Sequence, residues 1–165
     1  MTRDEFLSRF GSVFENRPDL AAEAWDRGGP DLTAAGPEGM HRAFAAVLRG
    51  PPPDALLAFL NGHPDLAARS ARPDALTADS QREQGSAGLD GLDAAAGARL
   101  SELNKAYRER FGFPFIMAVK GSRPAEILAS LEARLGNHAA EERTEAVRQI
   151  ERILLLRLEG RFRAT

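Results

Sequence analysis

HPDLAARSARPDALTADSQREQGSAGL, residues 63–89, gathers functional side chains where a core should be. Between Leu76 and Leu89 the only apolar side chains are Ala78 and Ala87, yet Thr77 is a good helix N-cap and the residues after it suit a helix. No greasy stripe can hold such a helix. At helical spacing Ser80, Glu83, Gln84 and Ala87 fall at i, i+3, i+4 and i+7, so one face offers a hydroxyl, a carboxylate and an amide together. That face suits a polar ligand; the plain alternative is a solvated surface helix, and this stretch alone leaves both open.

Working outward, the PPP of residues 51–53 opens a helix through Leu56, Leu57, Phe59 and Leu60 that Asn61-Gly62 ends. Pro64 is then expected as the first residue of the next helix, which would set His63 near a helix N-terminus. On the other side, residues 93–111 carry Leu100, Leu103, Tyr107 and Phe111, with Gly112 as the stop. The run FPFIMAV, residues 113–119, is too short for a full helix and contains Pro114. It is expected as a buried extended segment with no sheet partner, whose backbone groups need a ligand, side chains or water. Ser122 is expected to cap a helix opening at Pro124, and a last helix to run from about His138 to Glu159. Near the start, Thr2 caps a helix with Phe6, Leu7 and Phe10. Pro18 opens one with Leu20, Ala24 and Trp25, and Pro37 opens one with Met40, Phe44, Val47 and Leu48. The pattern predicts an all-α, single-domain multi-helix bundle over residues 1–165 with one short extended apolar segment.

Composition bounds the function. Hydrophobic residues at 43% and charged residues at 28% are ordinary for a soluble globular protein, and a net charge of −2 favours neither nucleic acid nor an anionic membrane. Without cysteine there is no disulfide, thiolate metal site or cysteine nucleophile, and a cytoplasmic setting fits. The start MTRDEFLSRF has no signal-peptide apolar region, no run approaches a membrane span, and the final RAT is not a peroxisomal address. HExxH, Gly-rich phosphate loops and GxSxG are absent.

Two further residues stand out. In the last helix Val147, Ile150, Ile153, Leu154 and Leu158 share one sector, and Arg157 lies among them. Its guanidinium needs an anionic partner, either an internal carboxylate or a small acidic ligand. Of the three histidines, His138 starts a helix and His41 sits beside Met40, where a structural role is ordinary. His63 is the best acid or base.

HPDLA (63–67), LT (76–77), SQREQGSAGL (80–89), LNKAYRERFGFPF (103–115), RLGN (134–137) and RL (157–158) occur in this order. As a set they resemble the 2-oxo-4-hydroxy-4-carboxy-5-ureidoimidazoline (OHCU) decarboxylase family of urate breakdown, and the likeness spans essentially the whole chain. One departure is Asp74-Ala75, where the family often has a glycine; it touches the shape of a loop.

The resemblance implies an all-α homodimer that forms S-allantoin from a ureidoimidazoline substrate without metal or organic cofactor. Nucleic acid and membrane have no part in it. His63 matches the family's catalytic histidine, Glu83 its paired carboxylate and Arg157 the arginine facing the substrate. Pro64, Ser80 and Gln84 match substrate-contacting positions, and Phe115, Ile116, Met117, Ala118 and Val119 match a segment whose backbone lines the pocket. The substrate carries its own imine beside the carboxylated carbon, so the protein's task is orientation, charge placement and proton delivery. Glu83 would favour the charged form of His63, while burial and a helix N-terminus would oppose it. Two other classes remain: an enzyme acting on another ureido compound, and a non-catalytic helical module. The module predicts that Ser80, Glu83 and Gln84 face solvent and that Arg157 pairs with a protein carboxylate.

Overall fold

The computed structural model describes residues 1–67 and 76–164, and the Asp74-Ala75 departure lies outside them. Among the described residues there are nine α-helices and no strand: α1 (Arg3–Phe10), α2 (Pro18–Gly28), α3 (Asp31–Ala34), α4 (Gly36–Arg49), α5 (Pro53–Asn61), α6 (Ala78–Ser86), α7 (Ala94–Phe111), α8 (Pro124–Arg134) and α9 (Ala139–Arg163). The all-α expectation holds. The short α3 was not foreseen, and α9 continues past Glu159. The chain divides into two compact units, Met1–Leu56 with Glu151–Thr165, and Leu57–Ile150.

The first unit is organised by aromatic rings. Thr2 and Glu5 form a reciprocal capping box that starts α1 and orients Phe6 and Phe10 inward. Phe6 packs on Trp25 at 4.8 Å and on Phe10 at 5.2 Å between ring centroids, and Phe14 packs on Phe44 at 5.0 Å. The C-terminal part of α9 closes this core, with Phe162 on Phe10 at 5.6 Å and with buried Leu154 and Leu158. Glu151, on the polar side of the expected helix, is buried here as well. Its carboxylate takes both Nε and Nη2 of Arg49, and its backbone carbonyl accepts from His41 Nε2, so His41 is structural.

In the second unit α6 and α7 begin with side-chain caps from Thr77 and Asp93. α7 stops at Gly112, whose φ of 79° is the left-handed conformation that a glycine adopts without strain. Leu100, Leu103 and Tyr107 of α7 are buried with Ile127 and Leu131 of α8. Two sequence expectations are corrected. No helix begins at Pro64: residues 63–67 form a turn, because the backbone N–H of His63 donates to Leu60 O and draws the residue back onto the end of α5. The N-cap of α8 is Arg123 rather than Ser122, since the Ser122 N–H is used on Val119 O and the Glu126 carboxylate takes the Arg123 N–H at 2.7 Å.

Candidate active site

His63 follows the carbonyl end of α5, and its Nδ1 lies 3.1 Å from Phe59 O. A carbonyl only accepts, so Nδ1 carries the proton in this contact. The ring also stands edge-on to Phe59, with centroids 4.9 Å apart. The expected positive helix N-terminus is replaced by the negative end of a helix, which stabilises positive charge near it.

The polar face of α6 is largely withdrawn from solvent. Ser80 is 9% exposed, Ala87 is buried, and Glu83 and Gln84 are half-buried, whereas Gln81, Arg82 and Ser86 face solvent. Gln84 reaches the His63 turn: its Oε1 accepts the Ala67 N–H at 3.0 Å. Pro64 lies half-buried in the same turn.

The segment from Phe115 to Val119 is buried except for half-buried Met117, and its backbone groups are partly answered from within the protein. Arg134 Nη1 donates to Ile116 O at 2.7 Å, the Ala118 N–H donates to Gln149 Oε1 at 3.0 Å, and the Ser122 N–H donates to Val119 O. Met117 makes no backbone hydrogen bond among the described residues.

Behind the segment lies a network that the sequence reading missed. The Glu142 carboxylate, fully buried, accepts from Tyr107 Oη at 2.5 Å, Arg134 Nε at 2.6 Å and Asn137 Nδ2 at 2.9 Å. The Arg134 guanidinium also lies 4.5 Å from the centroid of the Phe115 ring. The one available signal was a carboxylate in the first turn of α9 close to Arg134 and Asn137 in sequence, and it does not reveal burial.

Tyr107 is the single tyrosine of the chain. Burial first, and then the hydrogen bond to Glu142, hold its phenol well above the ordinary tyrosine value. An unfolded tyrosine ionises near about 10, so the folded state keeps a proton that the unfolded state releases. Stability tied to this group is complete below that pH and is lost as pH rises beyond it. Phenolate absorbance should therefore stay low above pH ~10 until the second unit unfolds, and then rise together with loss of helical circular dichroism. Ionisation at the free tyrosine value with the helices intact would contradict the buried network.

Arg157 belongs to the first unit. It is 6% exposed within the apolar sector of α9, as its position predicted, and its Nη1 donates to Val13 O at 3.0 Å and to Glu15 Oε2 at 3.1 Å. Glu15, also 6% exposed, is a second residue that the sequence reading missed. Every other expected site residue lies in the second unit.

Among the described residues no group of three or more His, Asp or Glu is placed to hold a metal ion, and no helix is long and apolar enough to cross a membrane.

A family model described as OHCU decarboxylase matches residues 1–159. A 2-oxo-4-hydroxy-4-carboxy-5-ureidoimidazoline decarboxylase of Amia calva is 38% identical over 159 residues, which cover 96% of this chain and 89% of the relative. Two solved structures share the fold at 24% sequence identity. A crystal structure of (S)-allantoin synthase superposes with a TM-score of 0.74 over 98% of this chain and 51% of that one, so this protein spans about half its length. A crystal structure of OHCU decarboxylase in the presence of (S)-allantoin superposes with a TM-score of 0.67 over 96% of this chain and 97% of that one. With a family match from the first residue to the last turns of α9 and a relative of this identity along nearly its whole length, the chain belongs to the OHCU decarboxylase family.

Proposed function

We propose that the protein is a carboxy-lyase that converts 2-oxo-4-hydroxy-4-carboxy-5-ureidoimidazoline to S-allantoin in urate catabolism, with no metal or organic cofactor. The observation that carries this reading is the 38% identity to the Amia calva decarboxylase along 96% of the chain. The residue roles draw support from the Nδ1 bond of His63 and the polar face of α6, largely withdrawn from solvent.

The substrate's hydroxyl and carboxylate share one ring carbon, and the neighbouring carbon is doubly bonded to nitrogen. When carbon dioxide leaves, the released electron pair forms a double bond between the two carbons. The imine pair moves onto nitrogen, which takes a proton from solvent. Nε2 of His63 removes the hydroxyl proton, the oxygen becomes a carbonyl, and the same proton is returned to the neighbouring carbon. Return from one face only sets the S configuration.

Glu83 stabilises the imidazolium formed between those two transfers, and Arg157 binds an acidic or carbonyl group of the substrate. Pro64, Ser80, Gln84 and the backbone of residues 115–119 complete the wall. A crystal structure with S-allantoin bound beyond reach of Arg157 would remove that residue from the site. Residues 1–165 act as one domain, in the cytoplasm and as a homodimer. Sedimentation as a monomer at assay concentration would refute the dimer.

One observation favours the non-catalytic module: Arg157 has a protein carboxylate as partner. Against it stand the burial of Ser80 and the half-burial of Glu83 and Gln84.

The direct test generates the unstable substrate from urate in situ and follows optical activity. With the protein present, S-allantoin should appear faster and in excess over its enantiomer; an unchanged time course refutes the activity. Extensive treatment with chelator should leave the rate unchanged, whereas a loss restored by a divalent cation would refute the cofactor-free reading.

A further inference from the structure

We propose that Asn104, together with the side-chain oxygen of Gln84, clamps the peptide between Leu66 and Ala67, and that Asn104 is thereby a positioning residue for His63. The two bonds go to opposite ends of one peptide unit. Asn104 Nδ2 on α7 donates to Leu66 O at 3.0 Å, and Gln84 Oε1 on α6 accepts the Ala67 N–H at 3.0 Å. The C=O and N–H of a trans peptide point in opposite directions, so the two helices grip its plane from both sides. This peptide lies three residues after His63. The plane needs holding, because Ala67 has φ of 52°, a left-handed conformation that is unfavourable for a residue with a Cβ. A second pair from α7 joins the same turn one helical step further on, where Arg108 Nη2 lies 2.9 Å from Asp65 Oδ1. The side chains of that ion pair are only half-buried, so solvent screens it and its holding power is modest.

Asn104 itself shows what the position is used for. It is 6% exposed among the apolar residues of α7, and its buried Oδ1 has no hydrogen-bond partner among the described residues. A buried acceptor left unpaired is unfavourable, and leucine has the same branched shape without one. What asparagine alone brings here is the Nδ2 donor to Leu66. The same geometry orients Gln84: with Oε1 committed to Ala67, its Nε2 is directed away from the turn, where it can donate to a substrate carbonyl or carboxylate.

The inference rests on His63 as the proton-handling residue, and the experiment separates the two. Asn104→Leu strands the Leu66 carbonyl but removes the unpaired Oδ1, and the two effects offset, so its thermal midpoint should stay near the parent's. Small misplacements of a catalytic group can cost up to about 10²-fold in rate, so kcat at matched folded concentration should fall by about tenfold or more, with KM little changed. In the parent protein the Ala67 amide should exchange slowly with deuterium, and in Asn104→Leu faster. Near-parental kcat in a folded Asn104→Leu, alongside an inactive His63→Ala, overturns the clamp. Should the leucine variant not fold, fast exchange at Ala67 in the parent overturns it and slow exchange supports it. If His63→Ala is itself active at the parental rate, the reading of His63 fails and the inference fails with it.

Discussion

Replacing His63 by alanine should lower the rate of S-allantoin formation by roughly 10²–10⁴-fold, the range that a positioned acid–base group contributes. Both proton transfers assigned to this residue use Nε2. The variant should still fold. His63 is half-buried, and its losses include a hydrogen bond to the Phe59 carbonyl and an edge contact with that ring. Together these are worth about 1–2 kcal/mol, and solvent at the exposed Asn61 and Gly62 can rehydrate the freed helix end. The check pairs thermal unfolding with the in situ optical assay at matched folded concentration. A variant that melts near the parent and still forms S-allantoin at the parental rate would show that another group moves the proton.

The largest effect on stability is expected at Glu142. Its carboxylate is fully buried and accepts from three side chains, of which Arg134 is buried with it. Glu142→Ala leaves a guanidinium in the core with no counter-charge and a phenol with no acceptor. Removing one partner of such a pair costs about 3–5 kcal/mol, a large share of the stability of a domain this size. The loss should extend to the Phe115 to Val119 segment, because the arginine freed from Glu142 is the one whose Nη1 holds Ile116 O. Denaturant unfolding followed by circular dichroism should show the fall in the midpoint. Trp25 fluorescence follows the first unit, which contains the chain's single tryptophan. A change below 1 kcal/mol would mean that the core tolerates an unpaired Arg134, contrary to the usual cost of a buried lone charge.

Much of the helical order was legible before any coordinates, and for a local reason. The caps at Thr2 and Thr77 close hydrogen bonds across three residues, and Gly112 permits the left-handed stop after α7, so these boundaries are written in short spacings. Periodicity likewise identified the apolar sector of α9 and the intruding Arg157. Signals that served two structures equally well misled. Proline at 64 suits the first residue of a helix and also a turn, and the choice fell to the His63 N–H bonding back to α5. Ser122 had the chemistry of a cap, but its N–H was already used on Val119.

By itself, then, the sequence determined the all-α class, several of the caps and stops, and which polar residues share one face of α6. Tertiary structure alone decided the partners. Glu142 meets Tyr107 across 35 residues, Asn104 meets Leu66 across 38, and Arg157 meets Glu15 across 142. No periodicity encodes such separations. They follow from how amphipathic helices pack to bury their apolar faces, and that packing sets which charge or donor each buried polar group finds.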